Sequence, residues 1–310
     1  MRYFLTILFF VLALKVHAQS GDFRPITDNP TEIKLYEAEA LWRKGDSVYF
    51  TNLRYNHIPE KQAKLSAEYF KKALKKNPNH SPSMNGLGLT CFSTQKYEEA
   101  KLYFSKAIEV DSHSMAYNNR GMVYSTLKQY PLALADYNES IKRDSLNSLT
   151  YYNLGCTYDA LGKYESAILY YNKALAIHPE YLAALNNRAG DRLLLGHYKE
   201  ALADLNGSIA KDSFNKSSFN SRGLVQYYLG NYEAALMDFQ KALTCPAYDN
   251  SYVDVFTYNN MGNCYFALSQ NNKACEWWKK AIENGYRYEP QWKEIYKIDD
   301  PNVLLLKHCR

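Results

Sequence analysis

The chain has 310 residues, 46% of them apolar and 22% charged, with a formal net charge of +5. That balance excludes a disordered chain, which holds fewer apolar residues, and a chain embedded in a bilayer along its whole length. The 37 basic residues against 32 acidic ones are evenly spread, and without a basic stripe to offset phosphate charge no nucleic-acid partner is expected.

Residues 1–18 stand apart. Arg2 gives a positive start, Tyr3 to Leu14 is an apolar run, and Val16-His17-Ala18 has the small-residue pattern of a signal-peptidase site. The run is shorter than the roughly 20 residues that span a bilayer. The expectation is a cleaved signal peptide, an exported protein in the periplasm or outside the cell, and no integral membrane span after cleavage. An uncleaved N-terminal anchor is the alternative. Cleavage removes Arg2 and Lys15 and leaves a net charge of +3.

Residues 19–30 read as an N-terminal extension, and residues 31–80 as an irregular first repeat. Its helices are expected over Glu32 to Lys44 and Glu60 to Lys76, around an insertion, loop or short helix, that carries Val48, Tyr49, Phe50 and Leu53. From 81 to 285 one pattern returns six times. A small residue sits in each first helix: Gly88, Gly121, Gly155, Ala189, Gly223 and Gly262. Twelve positions on comes Ala100, Ala133, Ala167, Ala201, Ala235 or Ala274, and four further a large residue, Phe104, Tyr137, Tyr171, Leu205, Phe239 or Trp278. Three more and the chain is small again, at Ala107, Ser140, Ala174, Ser208, Ala242 and Ala281. An insertion, Pro246 to Asp254, lengthens the spacing before the last unit. Residues 286–310 read as a cap, with helices over Pro290 to Ile298 and Val303 to Cys309 to cover the last apolar face.

This pattern resembles the tetratricopeptide repeat family, with its 34-residue period. The resemblance implies an all-α fold: about seven antiparallel helix pairs stacked into a right-handed superhelical solenoid with a C-terminal cap. The small residue of each first helix is expected to meet the first alanine of the second, and the large residue to fill the space between units. The short signal ending in Val-His-Ala-Gln, the tyrosine-rich repeats and the closing Ala274-Cys275-Glu276-Trp277-Trp278 also resemble exported repeat proteins of Bacteroidetes-like bacteria.

Arginine and aspartate come and go together. Arg120, Arg188 and Arg222 precede the small residue of their units, and Asp136, Asp204 and Asp238 follow sixteen positions later, while the other regular units lack both. Structural salt bridges between the two helices of one repeat are the expectation, not catalytic carboxylates. One position before the arginines runs a ladder of Asn119, Asn153, Asn187 and Asn260, with Ser221 in register and Gly86 interrupting it. In the family this position faces the concave groove. The row is similar to the asparagine ladder in the superhelix of O-linked N-acetylglucosamine transferases, which holds extended peptides by their backbone amides, although nothing resembles their catalytic domain. A side-chain amide offers both donors and acceptors. The competing reading is that these asparagines cap or space neighbouring helices. Tyr152, Tyr227, Tyr228, Phe256 and Phe266 fall at first-helix positions that the family turns inward, as aromatic anchors of the same groove or as packing. The family's carboxylate clamp needs basic residues where this chain has Asn118, Asn119, Met115 and Met122, so it is absent.

Six cysteines follow the expected signal, with no CxxC among them. Export permits disulfides, and Cys275 with Cys309 is the expected pair, Cys264 the competing partner. No GxSxG, HExxH, GxGxxG or phosphate loop occurs, and the histidines lack metal-ligand spacing. The chain is therefore expected to be no enzyme, to hold no cofactor and no metal, and to bind a protein or extended peptide. The alternative is an architectural subunit of an envelope complex that assembles, or self-associates, through its convex face or ends.

Overall fold

The computed structural model describes residues 29–52, 58–245, 251–290, 293 and 299–309. The expected signal peptide and most of the expected helix from Pro290 to Ile298 lie outside the described residues, as do Leu53 and 246–250. All regular structure among the described residues is helical, in two compact units, Met1–Ser145 and Leu146–Arg310. The first unit holds α1 Pro30–Asn52, α2 Glu60–Lys76, α3 Ser81–Ser93, α4 Tyr97–Val110, α5 Ser114–Thr126 and α6 Tyr130–Arg143. The second holds α7 Ser148–Ala160, α8 Tyr164–Ile177, α9 Leu182–Leu194, α10 Tyr198–Lys211, α11 Lys216–Tyr228, α12 Tyr232–Thr244, α13 Ser251–Ala267, α14 Asn271–Glu283 and α15 Pro301–His308. Within each unit consecutive helices pair, and each pair packs on the next.

The helix ends follow from local chemistry. His113, Asn147 and Asn215 cap α5, α7 and α11, their side chains accepting from the backbone N–H groups of Met115, Thr150 and Ser218. The turn inside each regular repeat needs one residue in the left-handed region. Gly162, Gly196 and Gly230 take it at φ 69°, 77° and 79°, but Gln95, Lys128 and Ser269 hold the same register with side chains at φ 61°, 59° and 59°. A Cβ there is disfavoured and glycine is not. Lys128→Gly is therefore expected to stabilise the first unit by on the order of 0.5–1 kcal/mol, read by urea denaturation.

The core differs in detail from the expected packing. A Cβ added to Gly121 would come within 2.8 Å of the Tyr137 ring, and one on Gly223 within 2.7 Å of Phe239. Gly88, Gly155 and Gly262 face Phe104, Tyr171 and Trp278 in the same way. The helix without a side chain thus makes room for the large residue of its own repeat, before the alanine comes into play, because a flat ring laid on bare backbone fills the gap that two helices leave. In the repeat where the small residue is Ala189, the large one is Leu205, a smaller partner for a thicker wall. All six large residues are buried, and each contributes on the order of 1.5–3 kcal/mol.

Helix α1 does not stop at Lys44. It runs on to Asn52, because Tyr49 packs on Ile58 and Ala63 and its hydroxyl donates to the Leu89 carbonyl at 3.2 Å. Ser251–Asp254 likewise belongs to α13 rather than to an insertion. Helix α15 starts at Pro301, two residues before the expected Val303. The ring suits the first helical position, and Asp300 caps the helix by accepting from Asn302 N. A disulfide between Cys275 and Cys309 ties the end of α15 to α14, while Cys264 is buried and free. No helix among the described residues is long and apolar enough to cross a membrane.

Candidate peptide-binding surface

The arginine–aspartate pairs are built alike. Arg120 Nε and Nη2 donate to the two oxygens of Asp136, both at 2.8 Å. Arg188 reaches Asp204 at 2.9 and 2.5 Å, and Arg222 reaches Asp238 at 2.8 and 2.6 Å. The third donor, Nη1, turns to the preceding second helix: Ser105 for Arg120, Asn172 for Arg188 and Asn206 for Arg222. Each guanidinium therefore joins its own two helices and the neighbouring repeat. Asp204 also accepts from Arg192 Nη1 at 2.5 Å, so one buried carboxylate holds two cations.

The asparagine ladder is placed between neighbouring first helices. In the first unit Asn119 is buried on α5; its Nδ2 donates to Asn85 Oδ1 of α3 at 2.9 Å, and its Oδ1 accepts from Asn118. In the second unit Asn187 Nδ2 of α9 donates to the Tyr152 hydroxyl of α7 at 3.2 Å. Asn153 and Ser221 are half-buried, and Asn260 is buried on α13. A second row, one register earlier, escaped the sequence reading: Asn85, Asn118, Asn186, Asn220 and Asn259. Asn186 Oδ1 accepts from Ser218 Oγ of α11 at 2.8 Å, and Asn220 Oδ1 from Thr257 Oγ1 of α13 at 2.9 Å. Asn119, Asn187, Asn186 and Asn220 stitch first helix to first helix, whereas neither side-chain atom of the buried Asn259 finds a partner; the signal was there in the recurrence of asparagine before the ladder.

The aromatic candidates are half-buried and all in ring contact. Tyr152 packs on Tyr171 and Tyr181, Tyr227 on Tyr228 and Tyr232, and Tyr228 stacks on Tyr198. Phe256 meets Tyr286, and Phe266 meets Trp278 and His308. Burial raises the Tyr152 hydroxyl well above its ordinary value and pushes Tyr227 up to about 12, so both stay neutral donors at physiological pH.

Where the first helices α7, α9 and α11 come together, a cavity of about 280 Å³ is lined by Asp159, Asn187, Gly190, Asp191, Ser221 and Leu224, among others. Asp191 is the residue that the sequence reading passed over. It stands in a register that the other regular repeats fill with Thr90, Val123, Thr157, Val225 and Cys264, all buried and none charged. Asp191 is 2% exposed, and its Oδ2 has no hydrogen-bond partner. Burial first, and then the charge of Asp159 beside it, push its carboxyl up to about 8, while burial also raises Asp159. Gly190 lies on the wall of this cavity with nothing near where its Cβ would be. Gly190→Ala should accordingly raise the stability of the second unit by about 1 kcal/mol through helix propensity alone, a gain visible in thermal denaturation.

One arrangement in the first unit has the order of a catalytic set. Ser83 Oγ lies 2.8 Å from His80 Nδ1, and His80 Nε2 lies 3.4 Å from Glu39. Ser83 has no exposed surface, and the three residues serve the start of α3. Among the described residues no three acidic, histidine or cysteine side chains gather as metal ligands would.

The tetratricopeptide repeat family matches the sequence over residues 81–114, 112–180 and 152–216. Over residues 81–216 the sequence therefore reads as tetratricopeptide repeats. The fold agrees: a tetratricopeptide repeat protein from Parabacteroides merdae is similar at a TM-score of 0.58 with 21% identity, covering 87% of this chain and 99% of that one. Cut9 in its complex with Hcn1, of the anaphase-promoting complex, is similar at a TM-score of 0.68 with 14% identity, covering 97% of this chain and 53% of that one. By sequence, anaphase-promoting complex subunit 3 of Schizosaccharomyces pombe is 29% identical over 101 residues, 32% of this chain. The matched stretch is 15% of that relative's length.

Proposed function

We propose that this chain is an exported, non-catalytic scaffold of the cell envelope that holds an extended segment of a protein partner against the first helices of its repeats. The observation that carries this reading is the cavity between α7, α9 and α11, whose wall offers the Asn187 amide, the Ser221 hydroxyl and an unpartnered carboxylate oxygen beside apolar Leu224. Such a mixture suits a peptide, whose backbone needs both donors and acceptors and whose side chains need somewhere to go. Tetratricopeptide repeats serve widely as protein-binding scaffolds, and the similarity to Cut9, solved together with Hcn1, is in keeping with that role.

Affinity capture from the native envelope tests it, with the wild type and Gly190→Phe side by side. The phenylalanine ring would fill the cavity without meeting a neighbour at its Cβ. A partner held by the wild type and lost by the variant at unchanged helicity is expected; equal capture by both overturns the reading. Export has its own check. N-terminal sequencing of the protein from native cells should begin at Gln19, and a chain that starts at Met1 contradicts it.

A second reading rests on the outer side of the second helices. Leu102 in the first unit and Leu169 and Met237 in the second hold one register and are exposed at 53%, 52% and 69%. An architectural subunit that assembles through this surface would cover them.

A further inference from the structure

The cavity of the second unit contains two carboxyls with no cationic side chain among the residues that line it. Asp191 comes from the last turn of α9 and Asp159 from the last turn of α7, the neighbouring first helix, and both line the same cavity. Helix α8 brings Tyr164 and Tyr171, both kept neutral by burial, and α7 adds the Cys156 thiol, likewise raised by burial. On α9 itself Arg188 and Arg192 turn away, bound to Asp204 of α10. From α10 and α11 the lining residues are Leu205, Ser221, Leu224 and Val225, none of them charged. A buried acceptor left without a donor costs about 1–3 kcal/mol, and a carboxylate buried without a cation costs more.

We infer that the Asp159–Asp191 pair is a recognition point for a lysine or arginine side chain of the partner segment, which enters the cavity between α7, α9 and α11 and donates to the unpartnered Asp191 oxygen. This rests on the groove reading above and gives it a chemistry. At about 280 Å³ the cavity stands at the bottom of the roughly 300–1,000 Å³ range of small-molecule sites and has room for one long side chain. The ionised carboxyl complements a cation, and on the same wall stand Asn186 and Asn187, whose Nδ2 and Oδ1 respectively are not the atoms bonded to Ser218 and Tyr152. Binding has to expel the proton that Asp191 holds, so affinity rises with pH up to the ionisation of Asp191, about tenfold per unit below it.

The pair has a signature of its own in the absence of any ligand. Its folded-state pKa lies above the unfolded value, so the native state binds the extra proton between pH 3.8 and about 8. Stability therefore falls as pH rises through that window, and Asp191→Asn removes this part of the slope.

The test uses the full chain and three fluorescent nonapeptides of glycine, serine and alanine with arginine, lysine or neutral citrulline at the centre, titrated to millimolar concentration at pH 6.5 and 8.5. The cationic peptides should bind at least tenfold more tightly than the citrulline peptide at pH 8.5. That preference should vanish in Asp191→Asn and in Asp159→Asn, and each variant is checked for helicity so that one keeps the test decisive if the other misfolds. Equal binding of all three peptides, with the carboxamide variants unaffected, overturns this inference and leaves the groove reading standing. No binding by any peptide overturns it as well, while the capture experiment still decides the groove reading separately. Binding of free agmatine as tight as that of the arginine peptide would replace the protein partner by a small cation and overturn the inference in this form.

Discussion

Asp204→Ala is expected to destabilise the second unit by about 3–5 kcal/mol, the cost of removing one partner from a buried ion pair. The aspartate accepts three bonds, two from Arg188 and one from Arg192, and the arginine side chains are only 15% and 19% exposed. Removing the carboxylate strands both cations. Asp136→Ala strands Arg120 alone and should cost less. Denaturant titration of the two variants checks the order. Equal losses would mean that Arg192 swings out to water and contributes nothing. Replacing Arg188, Arg192 and Asp204 together by apolar residues of similar volume should recover most of the loss, because the pairs specify how the repeats meet more than they stabilise them.

The second large effect lies in the core. Gly155→Ala should lose about 1–3 kcal/mol, although alanine is the better helix former. The new Cβ would stand 2.9 Å from Tyr171 Cζ and closer still to its near edge. The ring has nowhere to go, being fully buried with its hydroxyl 3.5 Å from Cys156 Sγ. The remedy is already written in the next repeat, where Ala189 faces Leu205. Gly155→Ala combined with Tyr171→Leu should show a coupling energy of at least about 1 kcal/mol in a double-mutant cycle. Additive effects would contradict the size matching of wall and filler. The same substitution at Gly190 has the opposite sign, since nothing stands near its Cβ, which separates packing from propensity within one protein.

The repeat was legible because packing repeats with it. A bare helix position and a large residue sixteen places on must occur together wherever two helices close up, so Gly121 with Tyr137 or Ala189 with Leu205 can be read without coordinates. The arginine–aspartate pairs were visible for the same reason: both members appear or both are missing. Other features depend on direction rather than on presence. A helix turns by about 100° per residue, so one step along α9 separates Asn186, bonded forward to α11, from Asn187, bonded back to α7. The sequence pointed to one asparagine row and left unread the row beside it. The length of α1 hung on Tyr49 reaching Leu89, a contact forty residues away. Asp191 was hidden because aspartate is unremarkable on a helix surface; only its register, shared with Val123, Thr157 and Val225, marks it as buried.

The central claim is that the first helices, and in the second unit the cavity at Gly190, receive the partner. Photo-cross-linking in living cells tests it most directly, with a benzophenone side chain placed at Gly190 on α9 or at Met237 on the outer side of α12. The account predicts a covalent adduct with one partner protein from position 190 and none from position 237. An adduct from position 237 alone would contradict it and assign the contact to the exposed second-helix row.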